Sequence, residues 1–202
     1  MSESCRSSYP ARSNHGVRCK LLKRFDIFCF TKLMRPRIKN LVRLALDGDF
    51  VFHGSPDSFD ALKPSRTERW SAGRLDYEGV SAHASRALGV AISYMASKRF
   101  HADGYKTGVN LKSTHFDRRI AIIGPTESDL ESSMKKLYGR GGYIYAFDAT
   151  DFEFRKGLGV MEVATFKSLV PKHKFRVTHQ DFLELVELLG ITMLNLTADR
   201  LD

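Results

Sequence analysis

The chain has 202 residues, 43% of them apolar and 27% charged, with only three cysteines. That composition supplies a folded domain with a sizeable core and excludes a disordered chain, a disulfide scaffold and a collagen-like fibre. The net charge of +9 is confined to one end: residues 1–45 hold 11 Lys/Arg against 2 Asp/Glu, whereas residues 46–202 hold 21 of each.

The chemistry of the first segment is sparse. Cys5, Cys19 and Cys29 are irregularly spaced, which suits free thiols better than a disulfide framework or a metal site. Residues 1–20 are rich in Ser and Arg and poor in large apolar groups, so they cannot offset their ordering entropy. Residues 1–33 are therefore expected to form a basic, disordered leader, and residues 34–202 a domain. Phe25 to Phe30 is too short and too charged for a signal-peptide core, and no run approaches the length of a membrane span. The expectation is a cytoplasmic protein; an organelle transit peptide is the alternative for the Arg/Ser-rich start.

Pro36 to Leu46 has the pattern of a helix, with Ile38, Leu41, Val42, Ala45 and Leu46 on one face and Gly48 closing it. Arg37, Lys39 and Arg43 lie off that stripe. They form either a solvated face or, with the other cations of residues 6–43, a contact for nucleic acid or another polyanion. Behind this helix, short apolar or alternating runs predict strands at 50–53, 79–83, 120–123, 143–147, 160–165 and 175–177. Helices are predicted at 85–98, from a Ser N-cap, at 128–138 and at 180–189. Strands and helices do not alternate regularly, which favours an α+β domain with a split, mostly antiparallel sheet and flanking helices. The polar segments 66–78, which contains Trp70, and 99–119 read as long connections bordering a cleft.

The most informative stretch is Phe50-Val51-Phe52-His53-Gly54-Ser55-Pro56, a strand that ends in His and turns through Gly-Ser-Pro. Alternation sends Val51 and His53 to one side and Phe50 and Phe52 to the other. Glycine at position 54 allows close approach of a ligand to the backbone. There is no Walker loop, nucleophile elbow or metal-ligand spacing, so no metal is expected.

The His-Gly-Ser motif with Phe59-Asp60-Ala61-Leu62-Lys63-Pro64 resembles the first motif of the ADP-ribosyltransferase-like fold. Its style is that of the branch containing poly-ADP-ribose polymerases and RNA 2′-phosphotransferases. Gly79-Val80-Ser81-Ala82-His83-Ala84-Ser85, leading into 86–94, resembles the second motif. Val160-Met161-Glu162-Val163-Ala164 offers the glutamate of the third, and the likeness covers roughly residues 48–180.

The resemblance implies an enzyme that takes NAD as substrate and transfers ADP-ribose to an acceptor it does not identify. His53 then binds a ribose, and Gly54 with Ser55 beside it holds the nicotinamide amide. Ser81 or His83 fills the second motif, and Tyr94 flanks the nicotinamide. Glu162 stabilises the developing oxocarbenium ion. A carboxylate on a rigid strand is suited to that charge; a glutamate facing water from an edge strand is the competing explanation. Ser81 stands where an aromatic is common. With His83 in that place the site resembles the RNA 2′-phosphotransferases, for which Arg66, Arg69 and Arg74 are candidate phosphate contacts. A catalytically inactive binding or interaction domain of the same fold is the remaining alternative.

Overall fold

A computed structural model describes residues 35–71, 74–110, 119–124, 129–158 and 161–197. The leader with its cysteines, the segment 111–118 and the side chains of Arg69, Trp70 and Arg74 lie outside this description, and so do the readings attached to them.

The order is α1 (Pro36–Asp47), β1 (Phe50–Ser55), β2 (Ser65–Ser71), β3 (Arg74–Ser85), α2 (Leu88–Ser93), β4 (Lys106–Asn110), β5 (Arg119–Gly124), α3 (Leu130–Tyr138), β6 (Gly142–Asp148), β7 (Glu162–Thr165), β8 (His173–Val177), α4 (His179–Leu188) and β9 (Thr192–Thr197). One sheet has the order β2-β3-β1-β6-β8, with β7 also on β3, and every pair in it is antiparallel. The second sheet, β4-β5-β9, pairs β4 antiparallel and β9 parallel to β5. The class is α+β, with a mostly antiparallel sheet and flanking helices, as the sequence pattern predicted.

In α1, Pro36 sits in the first turn, where its missing N–H costs nothing, and Gly48 closes the helix at φ +80°. Ile38, Leu41, Val42 and Leu44 are buried, each contributing about 2 kcal/mol of transfer free energy. Leu46, expected on that face, is instead exposed. Strand β1 then divides its side chains between two cores. Phe52 joins Ile38, Ile92, Met95, Ile144 and Phe182 beneath the helices. Val51 joins Leu62, Ala84, Tyr145, Phe147 and Val163 on the other face.

Two of the expected connections contain strands. Residues 66–78 fall in the β2–β3 hairpin, whose register runs from Ser65↔Ser81 to Ser71↔Arg74. Part of 99–119 is β4, paired with β5 from Lys106↔Ile123 to Asn110↔Arg119. The helix predicted over 85–98 is also shorter. Ser85 belongs to β3, pairing with Phe52 and Glu162, and α2 spans only Leu88–Ser93. The Ser85 hydroxyl donates to the Met161 carbonyl and accepts from the Ala87 N–H, so it ends a strand and starts the turn.

Candidate active site

The ladder between β1 and β3 consists of one pair, Phe52↔Ser85. On its other side β1 pairs with β6 along its whole length, from Phe50↔Asp148 to Ser55↔Tyr143. Past Phe52, therefore, β1 and β3 part, and among the described residues no strand pairs with the β3-facing edge of residues 53–55. The His53 imidazole crosses this parting, and its Nδ1–H donates to the His83 carbonyl at 2.7 Å. A carbonyl only accepts, so Nδ1 carries the proton and, in the neutral ring, Nε2 is an acceptor. Burial pushes the His53 pKa below the usual 6.5, against the pull of the His83 carbonyl, and the charges of His83 and Lys98 lower it further. The ring meets Phe59 edge-on at 5.6 Å, and Phe59 stacks on Tyr145 at 3.8 Å.

Along β3, Tyr77, Ser81, His83 and Ser85 share a face by strand alternation. The Ser81 hydroxyl lies 2.8 Å from His83 Nε2 and 2.7 Å from the Tyr77 hydroxyl. Gly79 makes this possible, because a Cβ there would stand 2.8 Å from the Tyr77 hydroxyl. One hydrogen-bonded line thus holds Tyr77, Ser81 and His83.

Glu162 is opposite Ser85 on β7, and cross-strand partners project to the same side, so its carboxylate joins that face. It is 3% exposed, which overturns the picture of a glutamate facing water. The Tyr94 hydroxyl, from the residue that ends α2, donates to Glu162 Oε1 at 2.8 Å, while the Tyr94 side of the molecule stays open, with the residue 47% exposed. Gly54 belongs to this face by its register with Phe52. A Cβ on it would lie 1.8 Å from the Ala91 carbonyl oxygen, so α2 can sit on β1 only if residue 54 is glycine. That is a packing reason for a glycine expected to serve a ligand. His53 leaves β1 on the opposite face, with Ser55, whose hydroxyl accepts from the Asp57 N–H. The structure therefore gathers Gly54, Ser81, His83, Tyr94 and Glu162 on one side and sets His53 in the parting.

Tyr77 was not among the expected site residues. Its signal was available as Tyr-x-Gly-x-Ser, a spacing that puts a ring over a glycine and a hydroxyl beyond it on one strand face. Arg66 extends from β2 to Glu68 and Glu78 at 3.3 and 2.9 Å and is well exposed, so it is engaged by carboxylates rather than turned into the parting. On α1, Arg37 pairs with Asp181 at 2.7 Å, which gives one of the helix cations a partner within the domain. No helix among the described residues is long and apolar enough to cross a membrane. Comparison with known proteins finds no family model, no curated protein and no solved structure that matches the chain.

Proposed function

We propose that the chain is an ADP-ribosyltransferase-like enzyme that uses NAD, with the fold of that family. The observation that carries this reading is Glu162: a buried strand carboxylate held by a phenol and placed one strand from the gap between β1 and β3. The residues around it suit NAD. The unpaired edge of β1 beyond Phe52 offers backbone groups to a carboxamide, and Nε2 of His53 accepts a ribose hydroxyl.

The substrate supplies a pyridinium leaving group: its glycosidic C–N bond breaks with the electron pair going to nicotinamide, which departs neutral. Glu162 faces the positive charge left on the ribose, and its fixed orientation means little reorganisation is needed as that charge forms. The Tyr94 hydroxyl keeps the carboxylate in one rotamer, and its open ring gives nicotinamide a surface. An acceptor oxygen or nitrogen then bonds to the ribose carbon and loses its proton. The Tyr77–Ser81–His83 line stiffens β3 beside this centre.

Incubation of the full chain with NAD, followed by chromatography of nicotinamide, tests the proposal. Wild-type protein is expected to release it, and Glu162→Ala to lose release by about a hundredfold or more while remaining folded. Release that is undetectable in the wild type, or the same in both, overturns the enzymatic reading and leaves a binding domain.

A further inference from the structure

The outer face of the β6–β8 edge carries a row of cations that the site described above does not use. Among the described strands β8 is the last of its sheet; alternation sends Lys174 and Arg176 to the same side, Lys172 stands immediately before the strand, and all three are exposed. Lys174 lies opposite Tyr145 and Arg176 opposite Tyr143. On the next strand those tyrosines lie opposite His53 and Ser55. The row is thus continuous, across three strands, with the face from which His53 enters the parting.

Arg176 is fixed without being neutralised. Its guanidinium donates to the carbonyls of Gly142 at 2.9 Å and Arg140 at 2.8 Å and lies 5.0 Å from the centre of the Tyr143 ring. Lys174 covers the same ring at 5.6 Å. Arg140 is exposed at the neighbouring turn. Among the described residues the acidic neighbours are Asp148, 3.3 Å from Lys172, and the fully exposed Asp60, 3.7 Å from Lys174. A guanidinium whose described hydrogen bonds all go to neutral carbonyls keeps its charge for a partner.

We propose that this face binds single-stranded nucleic acid. Side chains at alternate strand positions are about 6.7 Å apart, so Lys174 and Arg176 with Lys172 just before the strand make a row on the order of 13 Å long. That is a track for successive phosphates of an extended strand, longer than one diphosphate needs. Tyr143 among the cations supplies an aromatic ring at its side, the combination that single-strand binders use. Residues 1–45 of this chain carry +9 and a second copy carries the same excess, so neither complements the surface. Charge on an edge strand also deters pairing with another chain, but that task requires neither a pinned guanidinium nor a tyrosine between cations. The inference concerns binding alone and is tested without NAD, so it stands or falls separately from the enzymatic reading.

The experiment uses the full chain and a fluorescein-labelled oligothymidylate, followed by anisotropy between about 50 and 200 mM salt. Lys174→Gln with Arg176→Gln is expected to weaken binding about tenfold and to lower the slope of log K against log salt by about 1.4, at about 0.7 per lost contact. Arg140→Gln changes an exposed side chain without touching the fold and is expected to weaken binding about threefold. A photoreactive oligonucleotide is expected to crosslink to Tyr143. Unchanged affinity and slope in both variants, with crosslinks only to residues 1–45, overturns the proposal. So does a polyglutamate peptide that binds this face more tightly than the oligonucleotide.

Discussion

Two buried carboxylates in this domain do opposite things. Asp181, in the first turn of α4, is fully buried and closes a capping box with Thr178. It accepts from the Thr178 N–H at 2.8 Å and hydroxyl at 2.7 Å, and Arg35 and Arg37 of the α1 end approach at 3.2 and 2.7 Å. Burial pushes its pKa up, but the Thr178 hydrogen bonds and the Arg37 guanidinium more than reverse this and hold the carboxyl below its usual range. Its charge is spent on joining two helices. Glu162, equally buried, is oriented by the phenol of a half-exposed tyrosine at the place where β1 and β3 part. The difference teaches how to separate a structural acid from a candidate catalytic one: burial is common to both, and what matters is whether the carboxylate ties two helices together or is met by a residue that stands at an opening.

The comparison is broken most directly by exchanging the predicted consequences of the two acids. Glu162→Ala is expected to reduce nicotinamide release a hundredfold or more, with a melting temperature close to that of the wild type, as calorimetry and a release assay read together will show. Asp181→Ala is expected to do the reverse, costing about 2 kcal/mol of stability through the lost cap and ion pairs while leaving turnover per folded molecule intact. Between these lies Gly54→Ala, for which the Ala91 carbonyl has no room. Denaturant titration should show a loss of about 3 kcal/mol as α2 is pushed off β1.

Acid titration of stability sharpens the same contrast. The folded-state pKa of His53 is lowered from 6.5, so the unfolded chain binds the proton more readily. Its contribution is complete above pH 6.5 and declines as pH falls from there toward the lowered value, and His53→Gln should remove that part of the curve. Asp181 is lowered from 3.8 by its net interactions, so its contribution is present above that pH and is lost as pH falls through the folded value. Asp181→Asn should flatten only this most acidic limb. The smallest expected effect is at Ser133, whose buried hydroxyl has no hydrogen-bond partner among the described residues. Ser133→Ala should leave stability unchanged or raise it by up to about 1 kcal/mol.

Much of this architecture was legible wherever a segment meets one core on one face. Helix α1, strands β1 and β6, and helix α4 show the expected spacing because their apolar residues are sorted by burial. The β2 strand, Ser-Arg-Thr-Glu-Arg-Trp-Ser, has no such sorting: it is held by pairing with β3, and cross-strand hydrogen bonds leave no periodic mark in a polar sequence. Strand β4 escaped notice for the same reason, and β9 because its partner β5 is more than sixty residues earlier. Ser85 shows a direct conflict: its residue type suggests an N-cap, but it pairs with Phe52 and Glu162 as the end of β3, and α2 starts at Leu88 behind Ala87, which has no side-chain cap. At the site, the motif residues His53, Gly54, Ser81, His83 and Glu162 were visible as types. That His53 and Glu162 leave opposite faces was not visible, because it depends on the register of β1 against β3. Nor was the contact of Tyr94 with Glu162, which joins residues 68 apart.

The central claim rests on Glu162, and the isosteric change tests it best. Glu162→Gln preserves the shape and a hydrogen bond with Tyr94 but removes the negative charge. Measured side by side, NAD affinity should stay within a few-fold of the wild type while nicotinamide release falls by about two orders of magnitude. Equal release rates in the two proteins would contradict the account.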